Sequence, residues 1–504
     1  MDRRTFTKML AGLVTASSLP TALQARSPLG DQEAFLKALK EKPWLLGYLG
    51  VSEVELEASL KIVQGQVPSE LEGHFFRNGP AQHNIGGDRF SHWFDAPGMV
   101  QRFSFDGNRV SHRGRLIETA RTKAETRENA ILFSAFGTHG PDLTSGGSAD
   151  AGNVANISLI EHAGELLALW EGGSPHIIDP DTLKSGGLKS WSDETKGLPF
   201  GAHPRVDRDG SMWNIGYSVN PAALILYHIS ATGALLQTEV IAQAAAPMVH
   251  DFMITETKIV IIAPPFSASN LGGESFVDLF EWHKDQPTQV IVIDKADLNN
   301  VTQIEMDPFW VFHFGNAYDL SATQIGFDFA LHDDPSFMTH DAFSAMDGSW
   351  DGAASAASRY VQARIDLKTK SVHLESAPEF GQVEFIQTDA REKLTAHRYA
   401  LMLAQPGGKD VLGFNRLLMV DRETGKTSHF DVPQTEILEE HLIVAKPGRP
   451  GGFWVLGTSL DWMKGTTQLS VYEGKHLSDG PVMKAEMDLA LPLGLHGTFL
   501  RASS

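Results

Sequence analysis

Residues 289–294 read QVIVID, an apolar and β-branched run that stops at an aspartate, and this short phrase indicates the fold class. Equivalent runs occur at 165–170 (ELLALW), 258–263 (KIVIIA), 416–421 (RLLMVD) and 452–456 (GFWVL), each near turn-forming residues. Runs of this length and composition at short spacing are typical of β-strands joined by tight turns. The sequence therefore predicts an all-β protein.

Helical periodicity is rare in this chain. It is clearest at 31–40, and weaker matches occur at 129–136 and 340–345. We therefore expect only a few short helices beside the strands.

A recurrent phrase ends several of the predicted strands, in which an apolar run is followed by an aspartate and a turn. It occurs at Ile178-Asp179, Ile293-Asp294, Ile365-Asp366 and Val420-Asp421. Ordinary hairpin chemistry explains this phrase as well as a repeated blade of a β-propeller does. No linker rich in Pro, Gly or Ser divides the chain, so residues 27–504 are predicted to form a single domain.

Composition excludes several classes of protein and of site. The 504 residues include 42 Lys and Arg against 62 Asp and Glu, a formal net charge of −20. No basic run offsets that charge, so nucleic acid is not an expected partner. The chain has no cysteine, which rules out disulfides, thiolate nucleophiles and iron–sulfur clusters. Any metal must be held by His, Asp or Glu, and nothing in the sequence indicates the oligomeric state.

The N-terminus has the features of an export signal. Arg3 and Arg4 are followed by Phe6, a moderately apolar stretch at 9–19 and small residues near Ala25. This pattern predicts a twin-arginine type signal over residues 1–26 and a periplasmic destination. The apolar stretch is too short to span a bilayer. The alternative is an amphipathic start to the domain itself.

Four of the 20 histidines stand in apolar or small-residue surroundings that are typical of a buried imidazole. They are His203 in GAHPRVD, His250 in PMVHDF, His313 in FHFGNAYD and His496 in GLHGTF. The intervals between them are 47, 63 and 183 residues. If a blade takes about 45 to 65 residues, these gaps equal about one, one and three blades. The spacing thus predicts four imidazoles converging on one axis as a metal site.

Eight phrases in order carry a resemblance to a known family. They include FRNGP at 76–80, HWFD at 92–95, LWEGG at 169–173, AHP at 202–204 and HGTF at 496–499. In these phrases the chain resembles the carotenoid cleavage oxygenases, iron enzymes that split a conjugated double bond of carotenoids, apocarotenoids or stilbenes. The resemblance implies a seven-bladed β-propeller with a small helical cap over one face.

The resemblance also implies one Fe(II) per chain, held by the four histidines as the catalytic metal site. It assigns three carboxylates to orient the imidazoles: Glu171, Glu384 and Glu440, with Glu439 as the alternative to Glu440. Neutral imidazoles suit ferrous iron and leave coordination positions open. A carboxylate on the second ring nitrogen fixes the tautomer and the direction of each ring.

The implied reaction is cleavage of a conjugated C=C bond of a carotenoid or apocarotenoid with O₂ to give two carbonyl products. Trp170 stands where stilbene-cleaving members tend to carry a lysine, and it favours an isoprenoid substrate. The substrate contacts predicted from the sequence are Trp170, Trp282, Phe312 and Phe314. A lipophilic polyene also suggests peripheral contact with a membrane.

Two alternative functions remain at this stage. One is a stilbene or phenylpropanoid double-bond cleaving dioxygenase on the same scaffold. The other, of a different class, is an exported, non-catalytic propeller that binds an apolar ligand and uses the histidines only as core residues.

Overall fold

The computed structural model describes residues 29–140, 149–270, 272–352, 356–406 and 411–502. The predicted export signal at 1–26 lies outside these residues and stays a prediction. The α-helices of the described chain are α1 (Gln32–Glu41), α2 (Ala120–Glu128) and α3 (Ala342–Asp347). None of its helices is long and apolar enough to cross a membrane.

The helix boundaries follow from local chemistry. Asp31 caps α1, because its side chain accepts hydrogen bonds from the backbone N–H groups of Glu33 and Ala34. The helices predicted at 31–40 and 340–345 correspond to α1 and α3, but the helix expected at 129–136 is absent. Asn129 adopts φ +52° and ends α2 in the left-handed conformation, so the helix precedes this stretch.

The strands before the first four-stranded sheet are β1 (Glu55–Gly65), β2 (Gly73–Arg77), β3 (Asn84–Ile85), β4 (Asp88–Arg89), β5 (Met99–Asp106) and β6 (Arg109–Leu116). The first four-stranded sheet consists of β7 (Ser158–His162), β8 (Glu165–Leu169), β9 (His176–Ile178) and β10 (Ser185–Leu188). The second consists of β11 (Arg205–Val206), β12 (Met212–Ser218), β13 (Ala223–Ile229) and β14 (Leu235–Ala242).

The third four-stranded sheet consists of β15 (Met253–Ile254), β16 (Lys258–Ala263), β19 (Thr288–Asp294) and β20 (Asp297–Met306). Between β16 and β19 the chain forms a separate two-stranded sheet, β17 (Phe266–Ala268) and β18 (Phe280–Trp282). The fourth sheet is β21 (Trp310–Ser321), β22 (Gln324–His332), β23 (Ser358–Asp366) and β24 (Ser371–Ala377). The fifth is β25 (Gln382–Gln387), β26 (Tyr399–Gln405), β27 (Arg416–Asp421) and β28 (Thr427–Asp431). The last strands are β29 (Glu436–Ala445), β30 (Phe453–Asp461), β31 (Thr466–Glu473), β32 (Pro481–Glu486) and β33 (Gly497–Arg501).

The prediction of a seven-bladed propeller with a helical cap is wrong. The described chain forms five separate four-stranded sheets, two two-stranded sheets (β3-β4 and β17-β18) and one continuous nine-stranded sheet, in the order β29-β30-β31-β32-β1-β6-β5-β2-β33. The joining element is β1, whose residues 55–60 pair with β6 and whose residues 61–65 pair with β32. One eleven-residue strand therefore merges what repeat counting treats as separate blades. The helices are a minor part of the structure, at six to ten residues each.

The edge strands of the sheets position the functional residues. Each four-stranded sheet presents its first strand at one edge, and the nine-stranded sheet contributes both of its ends, β29 and β33. Contacts run from β15 to β21, β25, β29, β33 and β7 in turn. Side chains at the beginnings of these strands are thereby brought together.

Two large apolar clusters lie beside this set of strands. One is built around Trp310 and Phe312, and the other around Trp93 and Trp350. Phe94 and Phe337 pack against both clusters. The space between the two clusters is where the large cavity described below is found.

Candidate metal centre and its cavities

The four predicted histidines all stand on or just before edge strands. His203 and His250 precede β11 and β15, His496 immediately precedes β33, and His313 lies within β21. One nitrogen from each of the four rings falls within 4.8 Å of the others. The structure thus brings together four side chains that are separated by up to 293 residues in the sequence.

The distances between the rings fit a single metal ion. The Nε2 atoms of His203 and His250 are 3.1 Å apart, and those of His250 and His313 are 3.3 Å apart. Two imidazole nitrogens bound at about 2.0–2.1 Å and at right angles would lie about 3 Å apart. The four imidazoles can therefore hold one metal ion.

Three of the four imidazoles have a carboxylate on the second ring nitrogen. His250 Nδ1 donates to Glu171 Oε1, and His313 Nδ1 donates to Glu384 Oε2 over 2.6 Å. His496 Nδ1 donates to Glu440 Oε1 over 3.0 Å. With the proton on Nδ1, each ring directs the lone pair of Nε2 toward the centre of the cluster.

Glu440, and not the adjacent Glu439, is the residue that contacts His496. Glu439 forms a buried ion pair with Arg77 at 3.2 Å, and it accepts a hydrogen bond from the backbone of Gly494. The pairing of β29 with β30 shifts register between Leu438 and His441, so both glutamates lie in a β-bulge. A bulge re-aims side chains locally, which is why strand alternation alone does not separate the two roles.

A second irregularity positions Glu384. The register of β25 against β26 shifts between Glu384 and Gln387, and Phe385 within this shift has φ +56°. A non-glycine residue in the left-handed region is strained, and such strain persists where surrounding contacts hold it. Here the Phe385 ring stacks on His313, at 5.3 Å between ring centroids, while its N–H donates to Glu384.

The surroundings of the imidazoles and carboxylates shift their pKa values in different directions. Burial and the neighbouring imidazoles hold the pKa of His203 well below its ordinary value, so this ring is neutral. Burial lowers the pKa of His250, but Glu171 more than offsets that effect and raises it, so a metal that binds this ring must displace a proton. Burial would raise the pKa of Glu384 and Glu440, yet their histidine partners lower both, so the carboxylates are ionised. Neutral imidazoles oriented by carboxylates are the form that binds a metal.

A cavity of about 520 Å³ opens on one side of the imidazoles. His250, His313 and His496 lie in its wall, and most of the remaining wall is aromatic or aliphatic, including Phe94, Phe136, Phe276 and Trp310. Specific ligand sites commonly combine such apolar walls with few polar groups. The cavity is therefore suited to a lipophilic molecule.

The four substrate contacts predicted from the sequence lie in three different places. Trp170 and Phe312 line the large cavity. Phe314 instead lines a smaller cavity on the other side of the histidines. Trp282 lines neither, and it packs at the margin of the apolar cluster around Trp310.

Sequence reasoning missed three polar residues that support the carboxylates. Tyr217 Oη donates to Glu171 Oε2 at 3.3 Å, and His332 Nε2 donates to Glu384 Oε1 at 2.7 Å. Gln387 Nε2 donates to Glu440 Oε1 at 2.9 Å. The sequence around these residues carries no distinctive signal, because each acts only through a contact formed on folding.

Fold and site together define a strand-built protein in which four imidazoles that can hold one metal ion lie at the wall of an apolar cavity. Residues 51–501 match the family profile described as Retinal pigment epithelial membrane protein. The chain belongs to this family, that of the carotenoid cleavage oxygenases, and the resemblance found in the sequence is confirmed.

Individual proteins of known activity or structure are also similar to the chain. The apocarotenoid-15,15'-oxygenase of Synechocystis is 28% identical over 300 residues, which span 56% of this chain and 61% of that relative. The isoeugenol monooxygenase of Pseudomonas nitroreducens is 23% identical over 479 residues, which span 92% and 98% of the two chains. Cobalt-substituted Synechocystis apocarotenoid oxygenase shares the fold, with a TM-score of 0.81 at 23% identity over 91% of this chain and 98% of that one.

Proposed function

We propose that this protein is a non-haem Fe(II) dioxygenase that cleaves a conjugated C=C bond of a carotenoid or apocarotenoid with O₂, giving two carbonyl products. One iron per chain is held by His203, His250, His313 and His496. The single observation that carries the proposal is the convergence of four imidazoles at the wall of a large apolar cavity.

The donor set is compatible with iron. Imidazoles are suitable ligands for Fe, Cu, Ni and Zn, and four neutral ones leave the ion with its full double charge. When bound here, ferrous iron would supply the activation of O₂. The three carboxylates keep the protons on Nδ1 of their histidines, so that Nε2 stays available.

The remaining catalytic contribution of the chain is positioning. A polyene is long and rigid, so the shape of an apolar cavity can fix which bond lies beside the imidazoles. Phe312 contacts His250 edge-on, at 5.6 Å between ring centroids, and lines the same cavity. Such aromatic walls also exclude water from the reacting bond, and the cleavage requires no acid–base pair from the protein.

The second candidate is cleavage of the side-chain double bond of a phenylpropanoid or stilbene. It is favoured by the alignment with the isoeugenol monooxygenase, which covers nearly all of both chains. Trp170 opposes it, because an indole cannot pair with a phenolate as a lysine does. Trp170 lines the cavity directly before Glu171 and presents apolar surface there.

Export through the twin-arginine route is part of the proposal and rests on Arg3 and Arg4. This route carries folded proteins that already hold a cofactor, which suits a protein that binds iron before export. Replacing Arg3 and Arg4 by lysine in a fusion to a periplasm-dependent reporter should abolish export. Retained export would refute the assignment. Peripheral membrane contact follows from the substrate's insolubility, and co-sedimentation with lipid vesicles tests it.

The activity is tested by aerobic incubation with a panel of carotenoids, apocarotenals, stilbenes and isoeugenol. Mass analysis of the products under ¹⁸O₂ identifies the bond that is cleaved and counts the oxygen atoms incorporated. Two aldehydes or ketones from a polyene, each labelled with ¹⁸O, support the proposal. Turnover of only the phenolic compounds would support the second candidate instead.

A further inference from the structure

A second cavity, of about 180 Å³, lies on the other side of the four imidazoles. His203 lines this small cavity and His250 lines the large one, whereas His313 and His496 line both. The imidazole cluster is therefore a wall between two chambers.

The two chambers differ in chemistry. The large cavity is mostly aromatic and aliphatic, as a lipophilic substrate requires. Besides the histidines, the wall of the small cavity contains the polar side chains of Arg205, Asp251, Asn316, Gln387, Thr388, Lys393 and Glu440. Its occupant is therefore expected to be small and polar, and different from the substrate.

Lys393 provides a positive charge without a counter-charge. It follows the helical turn Ala390–Glu392, and its exposed surface faces the small cavity. Burial lowers the pKa of Lys393, and the guanidinium of Arg205 lowers it further. No carboxylate among the described residues forms an ion pair with its ammonium group. A cation in this position is stabilised by any anion that enters the cavity.

The two acids of this wall are already engaged. Glu440 accepts hydrogen bonds from His496, Gln387 and the backbone N–H of Gly497, and it does not shift the pKa of Lys393. Asp251 Oδ2 accepts from Arg205 Nη2 at 2.5 Å and from the backbone N–H of Phe314 at 3.1 Å. Its Oδ1 accepts from the backbone N–H of Phe252. Arg205 and Asp251 thus neutralise each other, and the charge of Lys393 remains.

Thr388 offers a second unused group. Its Oγ1 is buried and has no hydrogen-bond partner in the described structure. Buried hydroxyl groups are nearly always hydrogen-bonded, and leaving one without a partner costs roughly 1–3 kcal/mol. The adjacent Gln387 does not satisfy this hydroxyl, because its amide donates to Glu440.

We propose that the small cavity binds a small oxyanion, a carboxylate or a tetrahedral oxyanion, through Lys393 and Thr388. Such an ion carries the charge that Lys393 lacks and the acceptor that Thr388 lacks. This site is separate from the proposed oxygenase function, since neither group is needed to hold a metal or a polyene.

The test measures the binding of sulfate and of formate to the purified protein by titration calorimetry at constant ionic strength. Lys393→Met removes the charge while keeping the length of the side chain, and Thr388→Val removes the hydroxyl while keeping the shape. Lys426→Met, at an exposed turn between β27 and β28, is the matched control. We expect at least a tenfold weaker binding in K393M, about a threefold weaker binding in T388V, and wild-type binding in K426M.

Two further measurements keep the test decisive if K393M folds poorly. The unfolding temperature of the wild type should rise with sulfate or formate at constant ionic strength, because a ligand that binds only the folded state stabilises it. Selenate soaked into crystals should give an anomalous peak beside Lys393. If formate binds more tightly, the site prefers a planar carboxylate. If sulfate binds more tightly, the site prefers a tetrahedral oxyanion. Failure of both probes to bind, equal binding in K393M and wild type, or a selenate peak only elsewhere would each overturn the proposal.

Discussion

Glu384 offers the sharpest test of how the protein orients its imidazoles. Its carboxylate accepts three hydrogen bonds: Oε2 from His313 Nδ1 at 2.6 Å and from the Phe385 N–H at 2.8 Å, and Oε1 from His332 Nε2 at 2.7 Å. Glu384→Gln keeps the shape and removes the charge. Glu384→Ala removes all three bonds.

The magnitudes follow from counting these bonds. In Glu384→Gln the amide oxygen can occupy the Oε2 position and keep the bonds from His313 and Phe385. His332 then accepts from the amide NH₂ by changing its tautomer. Only the charge is lost, and a hydrogen bond to a charged group is stronger than a neutral one by roughly 1–1.5 kcal/mol, which corresponds to a change of up to about tenfold in affinity. We therefore expect metal affinity to fall about tenfold in Glu384→Gln and about a hundredfold in Glu384→Ala.

The assay is competition for iron against a chelator of known affinity, with the free energy of unfolding measured in parallel by urea denaturation. Glu379→Gln, at an exposed position in the same region of the chain, is the control and should bind iron as the wild type does. The reasoning is refuted if Glu384→Ala keeps wild-type affinity, or if Gln and Ala weaken binding equally.

Three further predictions concern other parts of the molecule. Arg77→Met should destabilise the fold by roughly 3–5 kcal/mol, because it leaves Glu439 charged and buried without its counter-charge; adding Glu439→Gln should recover part of the loss in urea unfolding. Burial would raise the pKa of Asp328, but His397 and Arg422 outweigh burial and lower it. The stability advantage of the wild type over Asp328→Asn should therefore be full above pH ~4, the value in the unfolded chain, and should shrink as the pH falls below it; an advantage that grows on acidification would contradict this. Trp170→Lys should raise turnover of phenolic stilbenes relative to apocarotenals in a competition assay, and an unchanged ratio would show that this position does not select the substrate.

Local sequence context was enough to find the histidines. Gly-Ala-His-Pro at 201–204 and Leu-His-Gly at 495–497 surround the imidazole with small or apolar residues, as a buried ligand needs, and the structure brings these rings together. The predicted carboxylates also lie on their rings, since Glu171, Glu384 and Glu440 each bond a different histidine.

The number of blades was beyond the sequence because it depends on long-range pairing. The repeated phrase of apolar run, aspartate and turn marks hairpins, but it does not show that β1 pairs with β6 along one half and with β32 along the other. Which of Glu439 and Glu440 contacts His496 could not be predicted either, because a bulge in β29 decides it. His332 and Tyr217 became visible only through their bonds to Glu384 and Glu171.

The most direct test of the central claim is the metal content of freshly purified protein, measured for the wild type and for His313→Ala. A central cluster of four imidazoles predicts about one iron per chain in the wild type and a loss of most of it in the variant, with both proteins folded. A stable wild-type chain that carries no iron, or an iron content unchanged by His313→Ala, would contradict the assignment and favour a binding protein without catalysis.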